Sequence, residues 1–309
     1  MDVLQREEKY LSELLFPLLE KYWDIFRKNV EQTRKNADAD NVHDLRVSIR
    51  RLRSAVRVFE DLSVNVKCKP LHKELKSIMS PFGELRDLHV QYNVLKPTAS
   101  IDKTPFLIPY IEKIRDEIDI HEDNLEDKIS RFKINKSDKV VKSLLSMGSI
   151  RLKEKKKYKI AIQSGLNNPA IRNVLQSYLM KCFSYLPLIE NEKDVYHFHR
   201  LRVAVKKLRY KLEFLHPLLG GYGEKDIEFF KDIQDATGDA HDIDVACENL
   251  VKYLQRGNEE YLSQDIYKKW LQNFAERRRK HYLEAKKYLN ELARFNFLPL
   301  NNSFCFGKD

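Results

Sequence analysis

One helix is spelled twice in this chain, and the two copies decide most of what it can become. The first reads Val42-His43-Asp44-Leu45-Arg46-Val47-Ser48-Ile49-Arg50-Arg51-Leu52-Arg53, the second Phe198-His199-Arg200-Leu201-Arg202-Val203-Ala204-Val205-Lys206-Lys207-Leu208-Arg209-Tyr210. In the first copy His43, Arg46, Arg50, Arg53 and Arg57 stand three and four apart. At ~100° per residue that spacing gathers them on one stripe of a helix. His199, Arg202, Lys206 and Arg209 repeat the stripe. Leu45, Ile49, Leu52, Val56 and Phe59 make a separate apolar stripe, rotated by about a third of a turn. The cations therefore flank the core instead of lying opposite it.

Like charges at these spacings repel by about a few tenths of a kcal/mol per pair, so a helix shaped for stability alone interleaves carboxylates. Here guanidinium groups are stacked over ~20 Å, at about 1.5 Å per residue. Such a row suits an extended chain of phosphates, which accepts paired hydrogen bonds along its length. A solvated charged face is the plain alternative for a single stripe. Repetition of His-x-x-Arg-x-x-x-basic-x-x-Arg argues against it.

Nearly every segment carries helical periodicity and none sustains the alternation of a strand, so the fold class is all-α. Helices are predicted at about 3–35, 42–62, 70–96 and 104–133, then at about 169–190, 194–219, 223–256 and 258–292. Pro70, Pro105 and Pro169 fall near helix starts, Gly220-Gly221-Tyr222-Gly223 marks a break, and Pro17 is expected to kink the first helix.

The duplication runs past the basic helices. Leu75-Lys76-Ser77-Ile78 and then Gly83-Glu84-Leu85-Arg86-Asp87-Leu88-His89-Val90 match Phe230-Lys231-Asp232-Ile233 and then Gly238-Asp239-Ala240-His241-Asp242-Ile243-Asp244-Val245. Two copies of one unit follow: two pseudo-symmetric four-helix bundles, over 1–133 and 168–295, related by an approximate two-fold axis that brings the basic stripes face to face. A basic linker helix over 134–167, densest at Lys153-Glu154-Lys155-Lys156-Lys157, and an irregular tail over 296–309 complete the chain. Gly83 and Gly238 cost about 1 kcal/mol each inside a helix, which predicts close helix approach or a bend at both.

Composition points the same way. The 309 residues hold Lys+Arg 56 against Asp+Glu 46, a formal net charge of +10, which attracts nucleic acid, phosphate polymers or anionic surfaces without choosing among them. Hydrophobic content of 42% is enough for a full core and excludes a disordered basic tail. Cys68, Cys182, Cys247 and Cys305 lie far apart with no Cys-x-x-Cys, which reads as free thiols in a reducing compartment. Met1 to Tyr10 is charged and lacks the apolar run of a secretory signal, and no stretch reaches the ~20 apolar residues of a membrane span, so a cytoplasmic location is expected.

The paired patterns His-x-Leu-Arg-Val-x-x-Arg-Arg-Leu-Arg and His-x-Leu-Arg-Val-x-x-Lys-Lys-Leu-Arg-Tyr, each followed by Gly-x-x-x-Asp, resemble the CHAD domain, the conserved histidine α-helical domain. The resemblance covers about residues 3 to 292, making 1–309 a single such domain. It implies a basic central cavity or channel between the bundles, with inorganic polyphosphate as the ligand. The residues matching the motif are His43, Arg46, Arg50, Arg51 and Arg53 in one half and His199, Arg202, Lys206, Lys207 and Arg209 in the other. Arg57 extends the first stripe, Tyr210 follows the second, and Lys76 and Lys231 hold equivalent places on the next helices. Polyphosphate granules and polyphosphate-metabolising enzymes are the further partners implied; no membrane and no cofactor is expected. His89 departs from the pattern, since the second copy has Asp244 there.

The same residues bear on other chemistries. His43, His197, His199, His241, Asp87 and Asp242 are possible metal ligands, but no pair has the His-x-x-x-His spacing of a compact helical site, so no metal site is expected. Asp87 and Asp242 are expected to orient arginines. Metal-dependent polyphosphate hydrolysis needs clustered carboxylates, and Asp242-Ile243-Asp244 is a lone Asp-x-Asp, so a non-catalytic binding module is expected. The alternative ligand is RNA or DNA, held by its phosphate backbone, with Arg277-Arg278-Arg279-Lys280 as part of the footprint. Against it, single-strand binders interleave aromatic platforms, and the His43 stripe has none.

Overall fold

A computed structural model describes residues 3–36, 38–62, 69–102, 104–131, 138–139, 141–142, 168–192, 194–219, 223–257 and 259–295. The predicted tail at 296–309 and nearly all of the predicted 134–167 linker helix lie outside them, as do Cys68, Cys305 and Gly220 to Tyr222. Every regular element among the described residues is helical. The long helices are α1 (Val3–Lys35), α2 (Ala39–Asp61), α3 (Lys69–Asp102) and α4 (Leu107–Arg131), then α5 (Pro169–Phe183), α6 (Val195–Leu215), α7 (Glu224–Gln255) and α8 (Asp265–Leu292). Short 3-10 turns occupy Leu186–Ile189, His216–Leu218 and Glu259–Ser263.

The helix ends follow local chemistry. Asn168 caps α5 by accepting from the N–H groups of Ala170 and Ile171, with Pro169 at a first-turn position where its missing N–H costs nothing. Pro187 and Pro217 tighten the chain into 3-10 turns after α5 and α6, so both helices stop short of the predicted 190 and 219. Gly223 enters α7 at φ 97°, a left-handed conformation that favours glycine. α8 begins at Asp265 instead of about 258, because the 3-10 turn precedes it. α3 runs the other way, past Pro97 to Asp102, beyond the predicted stop at 96. Two carbonyls of that turn are taken by side chains, Val94 by Arg277 at 3.5 Å and Leu95 by Thr98 at 2.6 Å.

In the first half α1 packs on α2, α2 on α3, α3 on α4, and α4 returns to α1. In the second half α5, α6, α7 and α8 pack in succession. The halves meet where α2 lies against α6 and α3 against α7, the helices that carry the repeated motifs. Aromatic contacts hold both flanks of this junction. On one flank Phe106 sits 5.7 to 5.9 Å from Tyr261, Tyr267 and Trp270, and Tyr110 stacks on Tyr253 at 4.7 Å. On the other, Phe214 meets Tyr22 edge-on at 5.4 Å and Phe59 at 6.3 Å. Such pairs are worth about 0.5–1.5 kcal/mol each beyond area burial, so the junction is a core and not a loose contact. Neither motif glycine marks a close helix approach: a Cβ at Gly238 would stand 3.6 Å from the Arg202 guanidinium, an ordinary contact with a side-chain tip, and at Gly83 it would meet nothing within 4 Å.

Candidate functional site

α2 and α6 are each fixed in place by a cap and an apolar stripe. Asp38 accepts the Asn41 N–H at 2.8 Å and Asp194 accepts the His197 N–H at 3.0 Å. Leu45, Ile49, Leu52, Val56 and Phe59 are buried on α2, and Phe198, Leu201, Val205, Leu208 and Leu212 on α6. That burial sets the rotation of each helix, and the neighbouring cationic stripes emerge along the α2–α6 seam. They line a cleft of about 410 Å³, with Arg50, Arg53 and Arg57 from α2 and Lys206, Lys207 and Tyr210 from α6. Asp61, His72, Tyr178 and Lys211 also line it.

The electrostatics of the cleft are strained. Burial, and then the Arg202 and Arg50 charges, hold the Lys206 ammonium down at about 7, with Asp242 only partly offsetting them. Burial and the like charge of Arg57 lower Arg53. His199 is lowered by burial, by His241 and by Arg202; its ring stacks on His241 at 4.6 Å, and its Nδ1 is buried with no hydrogen-bond partner among the described residues.

Deeper in the seam the stripe's first arginines are met by acids of the following helices. Arg46 is 9% exposed and held down to about 10 by burial and by Arg50 and Arg86, against the attraction of Asp87. Arg202 lies 3.9 Å from Asp242 and is lowered by burial. Asp87 is raised by burial and by Asp242, so the two aspartates sense each other across the α3–α7 contact. These two arginines serve as buried charge near the site, not as open docking groups.

Other residues of the duplicated motifs are placed differently. Arg51 and Arg209 converge on Glu213, at 3.4 and 3.2 Å, and the Arg209 guanidinium lies 4.6 Å over the Tyr210 ring. His43, Lys76 and Lys231 are exposed and are not among the residues that line the cleft. Sequence reasoning missed Asp61, Glu213, Tyr178 and Lys211. Lys211 carries a signal in the sequence as a lysine amid the apolar row of Leu208, Leu212 and Leu215, Glu213 as an acid four residues after Arg209, and Tyr178 as the repeat of Tyr22.

Three arginines of the basic run on α8 are occupied with structure. Arg278 donates to Asp244 at 2.6 Å and to the Glu192 carbonyl, Arg277 reaches the Val94 carbonyl of α3, and Arg279 lies 3.6 Å from Glu192. The departure at His89 is explained by the same contact layer. His89 on α3 faces Glu122 on α4 at 3.4 Å, whereas Asp244 on α7 faces Arg278 on α8: one polar pair, with the acid moved to the other helix.

A family model for the CHAD domain matches residues 17–251. Among solved structures, the chain is similar to the crystal structure of the CHAD domain from the plant Ricinus communis, with TM-score 0.64 and 17% identity over 93% of each chain. No curated protein matches it. No helix among the described residues is long and apolar enough to cross a membrane.

Proposed function

This chain belongs to the CHAD domain family, and on that premise we propose that it binds inorganic polyphosphate in the α2–α6 cleft, as a binding module without catalysis. Its two halves act as pseudo-symmetric four-helix repeats whose basic helices form the walls of a channel; the like-with-like contacts of α2 with α6 and α3 with α7 support that arrangement. The observation that carries the reading is the convergence of Arg50, Arg53 and Arg57 with Lys206 and Lys207 on one cleft. Burial, and after it the repulsion of Arg202 and Arg50, holds Lys206 at about 7. A bare phosphate chain supplies the missing counter-charge and accepts bidentate guanidinium bonds along its length.

A binding role suits the acids at the cleft, which are already engaged. Asp61 accepts from Lys211 and Tyr178, and Glu60 lies 2.7 Å from Arg57 and 3.2 Å from His72. Each is committed to a cation or a phenol, whereas phosphoanhydride hydrolysis needs carboxylates directed at a metal or a water. On this reading the partners are polyphosphate itself and, where the polymer is stored, polyphosphate granules in the cytoplasm.

The test is calorimetric titration with long-chain polyphosphate, duplex DNA and single-stranded RNA at matched phosphate concentration and physiological salt. Tight binding of polyphosphate alone is the expected result. Equal or tighter binding of nucleic acid would transfer the cleft to that ligand.

A further inference from the structure

Lys206 has a chemistry that anion binding does not use. Its amine lines a cleft of about 410 Å³ that also presents Arg50 and Arg53, and it faces Arg50 from α2, Arg202 and Arg209 from its own helix and Asp242 from α7. A primary amine surrounded by guanidinium groups is a nucleophile beside a ready-made seat for a phosphate. The reagent that uses both is an acyl phosphate, whose anionic end docks on arginine and whose carbonyl carbon is electrophilic.

We propose that Lys206 is a site of acylation by small acyl phosphates, and that its acylation weakens the cleft for polyanions. The inference rests on the anion-binding reading of the cleft. In the step, the Lys206 Nζ lone pair attacks the carbonyl carbon and a C–N bond forms. The C–O bond to the phosphoryl group breaks, and inorganic phosphate leaves with that electron pair. The extra proton on nitrogen passes to the departing phosphate or to water. Arg50 and Arg53, which line the cleft, favour the departing anion, because charge gathers on it as the bond breaks.

The attack requires the free amine, and the cleft provides it. Burial and the adjoining arginines hold Lys206 at about 7, so near neutral pH much of it is unprotonated. An ordinary lysine near 10.4 has on the order of several hundred-fold less free amine at pH 7.5. Lower basicity returns part of that gain, because nucleophilicity falls with pKa, and a net advantage of about ten-fold remains. The product amide is neutral, so the cleft loses one cation and polyphosphate is held less tightly.

Lys269, exposed on α8 and outside the cleft, is the internal control. The protein is incubated with acetyl phosphate from pH 6 to 10, with and without long-chain polyphosphate, and acetylation at each lysine is followed by peptide mass spectrometry. Lys206 is expected to react about ten-fold faster than Lys269 at pH 7.5, with a rate that levels off above about pH 7 to 8. Polyphosphate is expected to protect Lys206 selectively, and acetylated protein to bind polyphosphate several-fold more weakly, as is the Lys206→Gln variant. Acetylation of Lys206 no faster than of Lys269 overturns the inference while leaving polyphosphate binding intact. Fast acetylation of Lys206 without protection or binding by polyphosphate upholds the nucleophile and overturns the anion reading beneath it.

Discussion

The phenol of Tyr178 on α5 donates a 3.1 Å hydrogen bond to the carboxylate of Asp61 on α2, across the junction of the two halves. Lys211, whose ammonium lies 4.3 Å over the Tyr178 ring, donates to the same oxygen. The sequence offset that relates His43 to His199 also relates Tyr22 to Tyr178. Tyr22 makes the reciprocal reach, from α1 onto Phe214 of α6. Burial and a carboxylate on the other half, Glu213 for one and Asp61 for the other, push both phenols up to about 12. Each half thus sends one tyrosine from its first helix across the seam.

Lys211 is 2% exposed, so its charge depends on Asp61. Asp61→Ala leaves a buried ammonium unpaired and should cost about 3 kcal/mol. Lys211→Met removes the charge along with the need for a partner and should stay within about 1 kcal/mol of the parent. Urea denaturation midpoints at unchanged slope measure both. Equal destabilisation by the two changes would show that the pair is not the organising contact.

The state of Lys206 gives polyphosphate binding a pH dependence with a definite sign. A bound polyanion favours the ammonium, so binding takes up a proton and raises the Lys206 value from about 7. Affinity should be level below about pH 6 and fall as pH rises from about 7 to 9. The ligand-free protein behaves oppositely: between about 7 and the unfolded value near 10.4 the unfolded chain holds a proton that the folded one has lost, so stability rises with pH across that window. Calorimetry in buffers of different ionisation enthalpy reads the proton uptake directly. Proton release, or no linkage, contradicts the arrangement.

The exchanged positions of the acid at this layer predict unequal costs. Asp244 and Arg278 are largely buried together, so Asp244→Asn or Arg278→Ala should destabilise by about 2 kcal/mol through a half-buried charge left without its partner. His89 and Glu122 face each other in a more open setting, and His89→Ala should cost less than about 1 kcal/mol. None of the three should alter polyphosphate affinity at temperatures where the variants are folded. A large loss of binding in Arg278→Ala would instead restore the α8 basic run as a ligand footprint.

Much of the architecture was legible because helical period and duplication are local signals. Leu45, Ile49, Leu52, Val56 and Phe59 are buried as a stripe, and the basic residues beside them open on the α2–α6 seam. Helix ends were less legible where side chains from elsewhere intervene, as at Pro97, where the distant Arg277 takes a carbonyl in the same turn. The division of labour within the stripe was also hidden. Spacing placed Arg46 and Arg50 on one face, but only the packing of α3 and α7 makes Arg46 a buried partner of Asp87 while Arg50 stays in the cleft. Asp61 could not be found from spacing, since it acts on the opposite half, and the spacing of Glu213 from Arg209 gave no sign of its reach to Arg51.

The most direct test compares two double variants that remove the same charge. Arg53→Ala/Lys207→Ala empties part of the cleft, and Lys269→Ala/Lys287→Ala removes two exposed lysines of α8. Both are titrated with long-chain polyphosphate over a series of salt concentrations. The cleft variant should lose about ten-fold or more in affinity and show a shallower dependence of log K on log salt, by about one unit for each phosphate contact removed, with the α8 variant close to the parent. Equal losses in the two would mean that polyphosphate senses only the net charge, and that the cleft is not its site.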